Sequence, residues 1–103
     1  MKQIIDGKRY DTATAEEIAH HWNGHPTSDF KTCTETLYRT KKGAFFLHGE
    51  GGPMSIYSKS VSGGYTYGEK IVPMTDDDVV EWLERCGLTD ELEELFPDRV
   101  EDA

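Results

Sequence analysis

The sequence predicts an α+β fold: a small antiparallel sheet built from hairpins and packed against two or three helices, in the order β-β-α-β-β-loop-β-α-α. Three observations carry this reading. Thr36–Thr40 and Ala44–His48 are two arms rich in β-branched and aromatic residues, which suit a pleated, half-buried surface. Asp6-Gly7, between Ile4-Ile5 and Tyr10, is a two-residue hairpin turn signal. The last quarter of the chain carries helix caps and apolar residues at helical spacing.

Taken in order, Lys2–Asp11 forms the first hairpin. Thr14 then opens a predicted helix, with Glu17 completing a capping box and Ala15, Ile18, Ala19 and Trp22 forming an apolar stripe; Gly24 and Pro26 end it. His25–Thr34 is a polar connector whose expected buried anchor is Phe30. In the central hairpin, Lys41-Lys42-Gly43 fits a three-residue loop closed by Gly43 in the left-handed region. Alternation puts Phe45 and Leu47 on one face and Ala44, Phe46 and His48 on the other, so both faces of this pair should be covered.

Glu50–Gly64 is rich in Gly and Ser and reads as a long loop, with Met54, Ile56 and Tyr57 able to pin it to the body. Tyr65–Met74 follows as a strand, with Gly68 as a bulge and Pro73 at its end. Thr75 and Asp78 form a capping box for the next helix, whose inward stripe is Val79, Val80, Leu83 and Cys86, with Trp82 at its margin and Gly87 as the stop. Thr89 or Asp90 caps a last short helix that turns Leu92, Leu95 and Phe96 inward and ends at Pro97. A single domain over residues 1–97 and an acidic tail over 98–103 are expected from a chain of 103 residues.

The formal charge of −9 is unevenly placed. Residues 1–75 hold nine Lys and Arg against eight Asp and Glu, whereas residues 76–103 hold two Arg against twelve Asp and Glu. A field of one sign over one face repels nucleic acid and membrane surfaces and attracts basic protein surfaces. Direct DNA or RNA binding and membrane association are therefore not expected. With no long apolar run, no leader-like start and only Cys33 and Cys86, the sequence points to a cytoplasmic protein with reduced thiols.

Asp76, Asp77, Asp78, Glu81, Glu84, Asp90, Glu91, Glu93 and Glu94 fall on the solvent sides of the two C-terminal helices. Capping explains the first of them, but solubility needs far fewer, and basic i,i+4 partners are almost absent. They are the candidate partner-binding residues. His20, His21, His25, Cys33 and His48 are zinc-capable, and His21-x3-His25 has a ligand-like gap, yet no Cys-x2-Cys pair occurs and Gly24 and Pro26 interrupt the pair. Cys86 sits on an apolar stripe, Cys33 has no identifiable orienting acid, and Gly49–Gly52 lacks the Lys-Ser/Thr of a phosphate loop. The expectation is a non-enzymatic protein without metal or cofactor. A small zinc-binding or enzymatic accessory protein using His21, His25 and Cys33 is the alternative.

The segments IIDGKRYDTATAEEIA (Ile4–Ala19), LYRTKKGAFFLHGEGGPMS (Leu37–Ser55) and KIVPMTDDDVVEWLE (Lys70–Glu84) together resemble a family of short, uncharacterised proteins of Firmicutes, their phages and other mobile elements. Proteins of this size, acidity and origin look like anti-CRISPR inhibitors, commonly acidic and non-enzymatic. What the resemblance implies is a DNA-mimicking protein–protein interaction: the acidic C-terminal surface occupies a basic nucleic-acid groove of a Cas effector and blocks access of DNA.

Overall fold

Asp6 and Gly7 both take positive φ, 52° and 76°, as a mirror-image hairpin turn requires, and they join β1 (Lys2–Ile5) to β2 (Lys8–Asp11). In the computed structural model, which describes residues Met1–Ala103, this hairpin is a two-stranded sheet of its own. The main sheet has four antiparallel strands in the order β3-β4-β5-β8: β3 (Glu16–Trp22), β4 (Cys33–Arg39), β5 (Phe45–Gly51) and β8 (Gly68–Met74). The α+β class is thus as the sequence predicts.

The predicted helix after Thr14 is instead the edge strand β3. Asp11, not Thr14, is the local organiser: its side chain accepts from Ala13 N–H, and its carbonyl accepts from Thr14 and Ala15 N–H. A bulge between Glu17 and Ala19 sends two successive residues, Ile18 and Ala19, toward one side of the sheet, where both join the same core. Adjacent inward residues are what a helical stripe also produces, and the pairing with β4 decides the matter.

The central hairpin forms as expected, with Gly43 at φ 89° and Leu37 opposite Leu47. Its two faces bury different partners. On one side, α1 (Asp76–Arg85) and α2 (Thr89–Leu95) pack over Ala19, Leu37, Phe45 and Leu47 with Val79, Val80, Trp82, Leu83 and Leu92, a core of nine buried residues. Burying side chains of this size stabilises by about 1.5–3 kcal/mol each. On the other side, the β1–β2 hairpin lays Tyr10 against Phe46 and Ile71, a cluster of three, with Tyr38 stacked on Phe46 at 5.2 Å. The hairpin packs on one end of this face; at the other end His48 and Glu50 are half-buried and Glu69 is exposed.

The Thr75–Asp78 capping box closes reciprocally, with N–H donors at 3.1 and 3.0 Å. At the other end of α1, Gly87 N–H reaches Glu84 O and Leu88 N–H reaches Leu83 O, a Schellman stop. Leu88 is then also the N-cap of α2, so neither Thr89 nor Asp90 caps that helix. Trp82 lies at 1% exposure in the centre of the core rather than at its margin. Pro97–Arg99 form a 3-10 turn, and Arg99 donates to Asp77 at 2.9 Å, so ordered structure reaches beyond Pro97 into the expected tail.

The Gly/Ser segment is largely built. Backbone bonds from Gly52 to Thr32 and from Met54 to Phe30 tie its start to the preceding connector, and β6 (Lys59–Val61) and β7 (Gly64–Thr66) make an exposed hairpin. Of the three expected pins only Tyr57 is buried. Met54 and Ile56 are exposed, as is the expected anchor Phe30, at 65%. What holds this connector is backbone hydrogen bonding and the buried Thr32, whose hydroxyl donates to His25 O.

Candidate partner-binding surface

The helices that carry the acids are fixed by their apolar sides, which turns the opposite sides outward. Every candidate acid except the half-buried Glu91 is exposed. Asp77, Glu81 and Glu84 recur at helical spacing along α1, and Asp90 and Glu94 along α2. Asp77 is paired with Arg99, and Asp78 is engaged at the cap, where bonds from Thr75 hold its carboxyl below the usual range. Asp76, Glu81, Glu84, Asp90, Glu91, Glu93 and Glu94 form no ion pair. The structure therefore brings the nine together on one helical layer and leaves most of them without a cation.

Beside the C-terminal end of α1 lies a pocket of about 420 Å³ that sequence reasoning missed. Glu35 on β4 lines it. The Tyr57 hydroxyl donates to one carboxylate oxygen, and Trp82 Nε1–H donates to the other at 3.1 Å. Burial first, then the bond to Glu35 and its charge, push the Tyr57 hydroxyl far above the ordinary tyrosine range. Tyr57 can lie there because Gly49 has no side chain: a Cβ would fall 1.9 Å from the ring. In the sequence Glu35 is a single acid just ahead of the Thr36–Thr40 arm; its donors come from 22 and 47 residues away.

His21, Cys33 and Cys86 line the same pocket. Burial raises the Cys33 thiol, with Glu35 adding to the effect; burial raises Cys86 as well, again with Glu35, while Arg85 opposes. This upward direction is the opposite of the depression that activates a nucleophilic cysteine. Met54 and Ile56 border the pocket as exposed apolar residues, Ile56 at 81%, beside the end of the acidic helix.

The zinc-capable residues named from sequence are dispersed. His20 lies on the opposite side of the sheet from His21, its Nδ1 3.0 Å from Thr36 Oγ1. His25 sits in the connector beside Asp29, at 3.6 Å. The set His21, His25 and Cys33 does not converge; the one group of three ligand atoms within 4.8 Å of one another is His48, Glu50 and Glu69.

A groove also opens between the β1–β2 turn and the β4–β5 turn, lined by Lys8, Arg9, Lys41 and Lys42. None of these four forms an ion pair. Charge counting over residues 1–75 conceals this cluster, in which four cations share the groove with one acid, Asp11. No helix is long and apolar enough to cross a membrane. Comparison with protein-family models, curated proteins and solved structures finds no match to the chain.

Proposed function

We propose that the protein is a non-enzymatic inhibitor that seats its acidic helical layer in a Lys/Arg-lined nucleic-acid channel of a partner protein and keeps DNA out. The observation that carries this reading is the row of outward carboxylates on α1 and α2, of which only Asp77 is ion-paired, with Arg99. Such a row is electrostatically costly in isolation and complementary to a channel that binds nucleic-acid backbone largely without reading sequence. Exposed Met54 and Ile56, at the end of α1, supply apolar contact that charge alone lacks. The resemblance to mobile-element proteins makes a Cas effector the partner of choice.

The test is association with purified Cas effectors at low and moderate salt, using the protein and a variant carrying Asp77→Lys, Glu81→Lys and Glu84→Lys. Binding that weakens with salt and collapses on charge reversal is the expected result, since steering by surface charge is screened over about 10 Å at 0.1 M salt. Binding indifferent to both would end the mimicry reading.

A further inference from the structure

On the face of the sheet away from the helices, His48, Glu50 and Glu69 share one pleat. His48 and Glu50 are two residues apart on β5 and point to the same side, and Glu69 on β8 stands directly opposite Glu50 in the register. Their ligand atoms lie within 4.8 Å of one another, with His48 Nε2 3.3 Å from Glu69 Oε2. His48 and Glu50 are half-buried and Glu69 is exposed, so the group is reachable from solvent while its backbone is held by paired strands.

Two carboxylates directly opposite each other across a strand pair repel, and their polar neighbours are the His48 imidazole beside Glu69 and the Tyr67 hydroxyl beside Glu50 rather than a Lys or Arg. The imidazole beside them is a common metal ligand. We propose that His48, Glu50 and Glu69 form a binding site for a divalent transition-metal ion of the zinc class. One nitrogen and two carboxylate oxygens satisfy three positions of a tetrahedral ion and leave the fourth open to water or to a ligand group of a partner. The imidazole favours zinc over the oxygen-seeking calcium and magnesium. The ion offsets the Glu50–Glu69 repulsion and clips β8 to the centre of the sheet. This site is independent of the acidic helices, which lie on the other side.

The experiment is calorimetric titration of the metal-free full chain with Zn²⁺, in parallel with His48→Asn, Glu50→Gln and Glu69→Gln, each checked for an unchanged circular dichroism spectrum. The expected result is one ion per chain, a rise in melting temperature on loading, and affinity lower by at least about tenfold in each variant, the loss that even outer-shell substitutions commonly cause. Mn²⁺ added as a paramagnetic probe should broaden the His48 and neighbouring Tyr67 resonances first. The proposal is overturned by zinc binding unchanged in all three variants, by binding abolished instead by His21→Asn or Cys33→Ser, or by Mn²⁺ broadening that begins on α1 and α2. Calcium bound as tightly as zinc would overturn it too, because the imidazole would then contribute nothing.

Discussion

The two sides of the four-stranded sheet are built from the same strands and differ in almost every other respect. The helical side gathers nine buried residues, a carboxylate with two donors, and an outer skin of acids. The hairpin side gathers three buried residues under β1 and β2 and carries the cationic groove and the His48 cluster. The lesson is a division of labour within a small domain. One side is deep enough to secure the fold, so the other can expose polar groups that a core would not tolerate.

That division can be broken most directly at Leu37, which has no exposure and lies under the helices. Leu37→Ala should cost about 2–5 kcal/mol, a large part of the about 5–15 kcal/mol typical of a domain, and chemical denaturation should show a single shifted transition. Tyr10→Ala, on the hairpin side, should cost less, about 2–3 kcal/mol for the lost burial and its edge-on contact with Phe46. Hydrogen exchange would sharpen the contrast: amides of β1 and β2 should open well before those of β4 and β5, and equal protection would refute the asymmetry.

Gly49→Ala probes the site that links sheet, loop and helix. The new methyl displaces Tyr57 from Glu35, at an expected cost of about 1–3 kcal/mol. The same contact sets an alkaline limit. Because the folded protein holds the Tyr57 hydroxyl far above its ordinary value, its contribution is complete below about pH 10 and fades as pH rises further toward the folded value. Tyr67, pushed up to about 12, titrates earlier. Tyr57→Phe should flatten this alkaline loss of stability, read by tyrosinate absorbance together with melting temperature.

The smallest effect is expected at the acidic end of α1, where Thr75→Ala should cost about 1 kcal/mol by removing the cap. Asp78 is depressed in the fold, so its share is present above the unfolded carboxyl value and lost as pH falls through the folded one. Asp78→Asn should therefore reduce the acid sensitivity of melting without touching the alkaline limb.

Much of this architecture is legible in the residues. Asp6-Gly7, the central hairpin with its two covered faces, and the Thr75–Asp78 box are local signals, and local physics decides them. β3 is illegible because its bulge imitates a helical stripe, and only the hydrogen-bond demand of β4 resolves the ambiguity. Trp82 is misplaced by periodicity because its polar atom is satisfied by Glu35, 47 residues away. The acids are legible as a run with few basic partners, and the pairing of Asp77 with Arg99, 22 residues away, required the fold. Glu50 and Glu69 stand opposite each other through register alone, which no motif records.

Pro73 on the outer strand β8 has no N–H to offer, and β3 at the other margin presents Glu16 and Glu17 beside its bulge. Both rims of the sheet thus discourage a further strand from docking. A partner must accordingly approach broadside, by shape and charge, and concentrated solutions should resist ordered stacking into fibres.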